Sequence, residues 1–302
     1  MSNYNNYYLK NNGLTQISAA NINCMHKLGE GAFGKVFKGK WIRRKNGQSY
    51  FTDIAIKIMN YQVEEDDAWK EAYRMSQLNH QNILYLYGIC NPSGFTVPWM
   101  IMEYMPGGDL LHYLLTHRGG LPLTWMMKIA FGVACGMEYL HDNAGQYHGD
   151  LAARNCLLGL NTTVKIGDFG KFQSNYESDY YQMYPDGMSQ DLMPMPLRWM
   201  PRENVPLSKW AKPKFNYAGD VWSYGVLLFE IWTRGWLPFN GLGNTEVVCS
   251  LHQGENPSYY KDVNAYCVIK AVIDACWNQN PNDRPSFQDI RINLVEKAGH
   301  LI

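Results

Sequence analysis

Three glycines near the start of the chain have the spacing of a phosphate-binding loop. They are Gly29, Gly31 and Gly34, in a Gly-x-Gly-x-x-Gly pattern. Because glycine has no Cβ, backbone amides in such a loop can approach phosphate oxygens closely. The pattern alone also fits an ordinary glycine-rich turn. A dinucleotide-binding loop must open a helix, whereas residues 35–41 have strand character, so the sequence predicts a hairpin here.

Lys57 is the second group suited to phosphate chemistry. It lies in a run where Ile54, Ile56 and Ile58 alternate with other residues, which predicts a well-buried strand. A lysine there needs a phosphate or carboxylate partner, because an unpaired buried charge is costly. Glu71, on the helix predicted next, is the natural candidate. A lone lysine on a strand is otherwise more often a solvated surface residue.

The elements that must position these residues change in character along the chain. Residues 43–53 contain Asn46-Gly47 and are predicted to be a loop. Strands are predicted at 24–28, 35–41, 54–59, 83–90 and 99–104, with a helix at 64–78. After a Pro-Gly-Gly break at 106–108, helical periods predominate, at 110–116, 124–143, 220–233, 245–253 and 268–278. The layout is a small β-rich part followed by a larger helical part.

The composition excludes several classes of protein. The 302 residues include 27 Lys+Arg and 27 Asp+Glu, a formal net charge of +0 that argues against a general nucleic-acid binder. Hydrophobic residues make up 46%, which is typical of a globular protein. No apolar run is long enough to predict a membrane span, and residues 1–12 lack the apolar core of a signal peptide. Seven scattered cysteines do not resemble a disulfide framework, so a soluble cytoplasmic protein is expected.

Two motifs in the second half carry the strongest signal. Residues 148–155 read His-Gly-Asp-Leu-Ala-Ala-Arg-Asn, and residues 168–170 read Asp-Phe-Gly. With the glycine loop and Lys57 before them, the chain resembles the protein kinase family over about residues 22–294, and the insulin-receptor-like receptor tyrosine kinases in particular. The resemblance implies a bilobal α+β fold. Its parts would be a small antiparallel β-sheet lobe with one helix (21–104) and a larger mainly helical lobe (105–302). Residues 1–20 are rich in Asn, Tyr and Ser and are predicted to be a flexible tail.

The resemblance assigns catalytic roles through the phosphoryl-transfer template. Asp150 would accept the proton of the substrate hydroxyl, with Arg154 beside it. Asn155 and Asp168 would hold magnesium, whose preference for hard oxygen ligands suits an amide carbonyl and a carboxylate. The implied cofactors are therefore ATP and magnesium.

The resemblance also implies how ATP is bound. Lys57 would hold the α- and β-phosphates and pair with Glu71. The glycine loop would cover the phosphates, and an apolar slot would enclose the adenine. The further ATP contacts implied are Gly29, Gly31, Phe33 and Gly34 at the phosphates, Val36, Ala55 and Leu157 at the adenine, Met102 as gatekeeper, and Glu103 and Met105 in the hinge.

Three features favour tyrosine as the acceptor. The Leu-Ala-Ala-Arg-Asn form at 151–155 is that of tyrosine kinases, and Pro-Leu-Arg-Trp-Met at 196–200 resembles their substrate platform. Tyrosines at 176, 180 and 181 have the spacing of insulin-receptor-like activation loops. Protein substrates with an acceptor tyrosine are therefore expected, together with a dimer that trans-autophosphorylates Tyr176, Tyr180 and Tyr181. A tyrosine-rich solvated loop is the alternative.

The chain departs from the family at several positions. Gly149 stands where kinases usually carry an Arg that binds the phosphorylated activation loop, so weak dependence on loop phosphorylation is expected. Residues 200–203 read Met-Pro-Arg-Glu, which keeps the Glu of Ala-Pro-Glu but not the Ala-Pro. Lys171-Phe172 follows Asp-Phe-Gly where Leu-Ala or Met-Thr is usual. Arg284 is expected to form a buried ion pair with Glu203.

The leading interpretation is an active protein-tyrosine kinase, and two others are weighed against it. A pseudokinase that binds partners or nucleotide is suggested by the departures just named, but such proteins usually lose the equivalent of Lys57, Asp150 or Asp168. A dehydrogenase is disfavoured because Gly34 leads into a strand. The sequence leaves open a cytoplasmic kinase or the membrane-tethered part of a plasma-membrane receptor, and the tyrosine pattern favours the receptor.

Overall fold

The computed structural model describes nine stretches of the chain, which divide into two compact units. The described residues are 13–31, 34–59, 65–93, 97–117, 119–169, 179–181, 195–206, 213–257 and 267–302. The first unit contains the described residues of 13–106 together with 167–169. The second contains those of 107–166 and 179–302.

A five-stranded antiparallel sheet forms the first unit. Its elements are β1 (Ile22–Gly31), β2 (Gly34–Lys45), β3 (Gln48–Met59), α1 (Glu65–Ser76), β4 (Leu86–Cys90) and β5 (Trp99–Glu103). The strand order is β1-β2-β3-β5-β4. Helix α1 forms where the sequence predicts a helix, because its apolar residues recur every three or four positions and Trp69, Ala72 and Met75 are buried together on one side. The predicted small sheet with one helix is confirmed.

The loop predicted at residues 43–53 is wrong. Strands β2 and β3 pair without interruption from Gly34 opposite Met59 to Lys45 opposite Gln48. Asn46 and Gly47 alone form the turn, with φ of 51° and 76°. An Asn-Gly pair with both φ angles positive is the two-residue turn that matches the twist of the flanking strands, so it extends the hairpin rather than ending it.

Leu14 and Ile17 are buried, although the sequence predicts a flexible tail through residue 20. Ile17 joins the buried cluster formed by Ile54, Ile56, Cys90 and Ile101. The backbone N–H of Ile17 donates to the Ile89 carbonyl at 2.7 Å, and the Ile89 N–H donates to the Thr15 carbonyl at 2.9 Å. The segment therefore covers one face of the sheet and pairs along the edge strand β4.

The second unit is mainly helical. Its elements are α2 (Leu110–Thr116), α3 (Leu123–Glu138), β6 (Cys156–Leu158), β7 (Val164–Ile166), α4 (Tyr217–Thr233), α5 (Asn244–His252), α6 (Cys267–Cys276) and α7 (Phe287–Ala298). Five of its helices were predicted, with ends shifted by a few residues. The predicted helix at 124–143 ends as an α-helix at Glu138 and continues as one π turn over Tyr139–Asn143. In the described part of the chain no helix is long and apolar enough to cross a bilayer.

Helix α4 is the centre of the second unit. Every residue from 219 to 231 is buried, which is typical of a helix that is apolar all round. The Asn216 side chain caps its start by accepting from the Gly219 N–H, and Arg234 ends it in a left-handed conformation. The Tyr224 hydroxyl donates to the Ala130 carbonyl of α3 at 2.9 Å. This buried helix also carries two acidic residues, Asp220 and Glu230, that accept hydrogen bonds from the backbone of residues 148–153.

Candidate active site

One face of the sheet in the first unit collects four of the residues predicted to bind ATP. Val36 lies opposite Lys57 across β2 and β3, and Ala55 lies opposite Met102 across β3 and β5. Directly paired residues and residues two positions apart share a face of a sheet. The face therefore presents Val36, Ala55, Lys57 and Met102 together, whereas Ile54 belongs to the buried cluster on the opposite face.

Lys57 is held by two carboxylates of the first unit. Its Nζ lies 2.8 Å from Glu71 Oε1 and 2.9 Å from Asp168 Oδ1. Only 11% of the Lys57 side chain and 3% of the Glu71 side chain are exposed. The predicted Lys57–Glu71 pair is present, and the structure adds Asp168 to it.

The charges of this group are coupled. Burial works to lower the pKa of Lys57, but the carboxylates of Asp168 and Glu71 outweigh it and raise the pKa above its ordinary value. Burial raises the pKa of Glu71, and the nearby Asp168 carboxylate raises it further, while the Lys57 ammonium group opposes both. Glu71 Oε2 is buried without a hydrogen-bond partner. Lys57 is therefore fully charged and fixed in position, as a phosphate-binding group must be.

The glycine pattern forms the hairpin between β1 and β2. Gly29 pairs with Val36, and Gly31 pairs with Gly34. A Cβ at Gly34 would lie 2.6 Å from the Ile58 carbonyl oxygen of β3, closer than packing allows. Strand packing therefore requires glycine at position 34, besides any role in approaching a ligand. Phe33, predicted at the tip of the loop, lies outside the described residues.

The predicted hinge follows β5. Met102 is buried, and Glu103 turns its side chain towards Tyr85, whose N–H donates to Glu103 Oε1 at 2.6 Å. The Glu103 N–H donates to the Tyr85 carbonyl at 3.0 Å. Met105 is also buried. Leu157, predicted to contact the adenine, is a half-buried residue of β6 in the second unit.

The second unit brings together Asp150, Arg154 and Asn155. Arg154 Nη2 donates to Asp150 Oδ1 at 2.5 Å, and Asn155 Nδ2 donates to Asp150 Oδ2 at 3.0 Å and to the Asp150 carbonyl at 2.7 Å. A short 3₁₀ turn at Ala153–Asn155 creates this geometry. The Arg154 guanidinium lies 4.1 Å from the ring of Trp199. Burial opposes the charge of Arg154, but the carboxylate of Asp150 raises its pKa above its ordinary value.

Two acidic residues of α4 accept hydrogen bonds from the backbone of the segment that carries Asp150 and Arg154. Asp220 accepts from the backbone N–H groups of His148 and Gly149 at 2.7 and 2.8 Å, and His141 Nε2 lies 2.8 Å from the same carboxylate. Glu230 Oε2 accepts from the Ala153 N–H at 2.9 Å. Burial raises the pKa of Glu230 to about 7. Sequence reasoning missed Glu230, although an acidic residue within the apolar run at 226–232 is a visible signal of a buried partner.

The hydroxyl of Tyr180 lies directly against the Asp150 carboxylate. It donates to Asp150 Oδ2 at 2.5 Å and accepts from Arg154 Nε at 3.3 Å. Asp179 Oδ2 lies 3.5 Å from Arg154 Nη1. The backbone of the next residue, Tyr181, pairs with Met195. Tyr176 and Lys171-Phe172 lie outside the described residues.

The substrate platform predicted at 196–200 is buried. Arg198 donates from Nη1 to the carbonyls of Pro238 and Phe239, both at 2.9 Å, and from Nη2 to that of Leu242 at 2.7 Å. The predicted Arg284–Glu203 ion pair is present, with Arg284 Nη1 2.6 Å from Glu203 Oε1. Both interactions fix the segment around residues 195–206 onto the helical unit.

Comparison with known proteins agrees with this arrangement. The profile of the protein tyrosine and serine/threonine kinase family matches residues 22–294. The chain therefore belongs to this family, and its five-stranded antiparallel sheet and helical unit are those of a protein kinase fold.

The chain is similar to several receptors. It is 34% identical over 310 positions to the high affinity nerve growth factor receptor of Rattus norvegicus, covering 97% of this chain and 37% of the relative. It is 34% identical over 296 positions to the NT-3 growth factor receptor of Macaca fascicularis, covering 91% and 33%. It is 33% identical over 287 positions to the tyrosine-protein kinase transmembrane receptor Ror of Drosophila melanogaster, covering 93% and 39%. The chain thus spans less than half of the length of these relatives.

Proposed function

We propose that this chain is a protein-tyrosine kinase that transfers the γ-phosphate of ATP to tyrosine hydroxyls of proteins. The observation that carries the proposal is the hydroxyl of Tyr180 on the Asp150 carboxylate, 2.5 Å away. A position that accepts a phenol beside a carboxylate and a guanidinium is one in which a substrate tyrosine can be deprotonated. The same function is supported by the glycine loop, Lys57, Asp150, Asn155 and the Asp-Phe-Gly motif, all of which the chain keeps. It is also supported by relatives named as growth factor receptors and as a tyrosine-protein kinase receptor.

In this mechanism the proton moves to Asp150 while the phenolic oxygen bonds to the γ-phosphorus and the bond to the leaving oxygen breaks. Asn155 and Arg154 both donate to Asp150 and so fix the orientation of its carboxylate. Arg154 Nε donates to the Tyr180 hydroxyl, and a substrate phenol in the same position would receive this donor, which favours the negative charge that develops as the proton leaves. Little covalent chemistry is required of the protein, because positioning and charge neutralisation supply most of the rate.

We further propose which residues bind ATP and magnesium. Lys57 would contact the phosphates, and Asn155 with Asp168 would ligate magnesium, which neutralises charge on the phosphates when bound. The residues fit these groups. The Nδ2 of Asn155 is used by Asp150, so its carbonyl oxygen, a hard ligand, is the end suited to a cation. The adenine would contact the apolar side chains that the sequence assigns to it, with Val36, Ala55 and Met102 sharing one sheet face.

The role in the cell is proposed from the relatives. These relatives are named as receptors, so we propose that this catalytic region acts in signalling at a membrane, as part of a longer receptor. Protein substrates with an acceptor tyrosine, and a second copy that trans-phosphorylates Tyr176, Tyr180 and Tyr181, are the partners this role implies.

A direct transfer assay tests the proposal and separates it from a pseudokinase. The purified chain is given ATP, magnesium and a poly-Glu-Tyr acceptor. Asp150→Asn is the matched control, because the new side chain has the same size and its amide oxygen can still accept from Asn155. We expect phosphotyrosine to form with the parent and to fall by about a hundredfold or more in the variant, since the proton acceptor is lost. Equal signals from both proteins would contradict the proposal and favour a binding protein.

A further inference from the structure

Arg74 connects helix α1 with the segment that carries Asp168. Its Nη1 donates to the backbone carbonyl of Phe169 at 3.2 Å, and its guanidinium lies 5.8 Å from the centre of the Phe169 ring. Phe169 is buried, with 3% of its surface exposed, and Arg74 is half-buried. A charged donor on a carbonyl and a cation against an aromatic ring are both favourable, and both are stronger away from water.

The same helix carries Glu71, three residues before Arg74. Residues three apart lie on the same side of a helix, so Arg74 reaches the Phe169 carbonyl from the side on which Glu71 reaches Lys57. Lys57 in turn contacts Asp168, the residue before Phe169. Five residues are therefore linked in a closed chain: Arg74 contacts Phe169, the neighbouring Asp168 contacts Lys57, and Lys57 contacts Glu71 on the helix of Arg74.

Asp168 needs such support because of its backbone conformation. Its φ is +60°, in the left-handed region that residues other than glycine rarely adopt. Backbone strain of this kind persists only where the surroundings fix it. The Lys57 contact acts on the Asp168 side chain, whereas the Arg74 contact acts on the main chain one residue further on.

We propose that Arg74 is a positioning residue of the phosphotransfer site, which fastens the Phe169 main chain to helix α1 so that Asp168 and the Lys57–Glu71 pair are held as one group. This role presupposes the proposed kinase function, because Asp168 is the residue assigned to magnesium there. Its consequence is that movement of α1 and movement of Asp168 are coupled through a residue that contacts neither ATP nor substrate.

The exposed side of the same helix offers a matched control. Lys70 has 58% of its side chain exposed and pairs with Asp66 within α1. Replacing Lys70 by Leu changes charge and helix propensity in much the same way as Arg74→Leu but leaves Phe169 untouched. Arg74→Lys is the conservative variant, since it keeps the charge but lacks the planar guanidinium that lies against the ring.

Hydrogen exchange in the nucleotide-free protein is the first test. In Arg74→Leu we expect the amides of Asp168 and Phe169 to exchange about tenfold faster, because one charge-assisted bond and a ring contact are lost. Arg74→Lys should fall between this variant and the parent, and Lys70→Leu should match the parent. Amides of helix α6, in the other unit, serve as the internal reference and should not change.

Binding of magnesium with adenylyl imidodiphosphate is the second test. At fixed nucleotide, the magnesium concentration needed for half-saturation should rise about tenfold in Arg74→Leu and stay within about twofold in Lys70→Leu. Unchanged exchange at Asp168 and Phe169, or equal acceleration in α6, would overturn the proposed role. If the parent transfers no phosphate while the exchange pattern is as expected, the kinase function fails and the coupling by Arg74 stands.

Discussion

The hydroxyl of Tyr180 competes directly with a substrate tyrosine for Asp150. It donates to Asp150 Oδ2 at 2.5 Å and accepts from Arg154 Nε at 3.3 Å. Tyr180→Phe removes both hydrogen bonds but keeps the ring, whose centre lies 4.9 Å from the Arg154 guanidinium. The substitution therefore weakens the competing contact without altering the groups that act on the substrate.

The size of the effect follows from the bonds lost. Hydrogen bonds to charged groups contribute about 1.5–3 kcal/mol each, and part of this returns because Asp150 keeps its bonds from Arg154 and Asn155. A net loss of about 2 kcal/mol shifts the equilibrium between the conformer with residue 180 next to Asp150 and the conformer with it moved away by about thirtyfold. Since an intramolecular competitor raises the KM for its rival, the KM of a tyrosine peptide should fall by up to about thirtyfold while kcat changes little.

The assay measures initial rates of the dephosphorylated proteins over a range of tyrosine-peptide concentrations at saturating ATP and magnesium. Tyr181→Phe is the matched control, because the backbone of Tyr181 pairs with Met195 and its neighbour Tyr180 keeps the contact with Asp150. A KM for Tyr180→Phe within twofold of the parent, or equal to that of Tyr181→Phe, would refute the competition.

Three further substitutions have defined outcomes. Burial raises the pKa of Glu230 to about 7 from the ordinary value of 4.5, so its contribution to stability is fully present below pH 4.5 and is lost as pH rises through 7. Relative to Glu230→Gln, the parent should therefore lose up to about 3 kcal/mol of unfolding free energy between pH 4.5 and 8, measured in urea; a constant difference would contradict this. Arg284→Leu should cost about 3 kcal/mol in the same measurement, because it leaves the Glu203 carboxylate without its partner, and a cost under 1 kcal/mol would show that the pair is unimportant. Gly149→Arg should make turnover respond more strongly to loop phosphorylation than in the parent; a Cβ there meets Phe215 at an ordinary 3.4 Å, and the φ of +84° should cost about 1–2 kcal/mol of stability.

Many of the helices and strands can be predicted from local sequence patterns. Helix α1 and the strand of Lys57 were predicted from the spacing of apolar residues, and the structure has both. The polar residues at 43–53 indicate a long loop, whereas the Asn46-Gly47 pair within them specifies a two-residue turn, and the structure has the β2–β3 hairpin that this turn allows. The apolar spacing does not predict helix α7, although Ser286 and Asp289 form a capping box at its start, which is a sequence signal for a helix N-terminus.

The remaining features depend on contacts between distant residues. Ile17 is buried against residues of the sheet that come later in the chain. The polar residues around Ile17 give no local indication of this burial. The sequence predicts Glu71 as a partner of Lys57. It does not predict the second partner, the carboxylate of Asp168, which lies 111 residues after Lys57 in the chain. The hydrogen bond from Tyr180 to Asp150 cannot be predicted from the local sequence, since a tyrosine in a loop has the same sequence pattern whether it faces solvent or a carboxylate.

In the proposed function, Asp150 directs phosphate to a tyrosine hydroxyl. The most direct measurement compares two peptides that differ only in Tyr or Ser at the acceptor, with the parent chain and Asp150→Asn, by mass spectrometry of the phosphorylated residue. We expect phosphate on Tyr, at least about a hundredfold less on Ser, and loss of the Tyr product in Asp150→Asn. Equal labelling of Tyr and Ser, or Tyr labelling unaffected by Asp150→Asn, would contradict the claim.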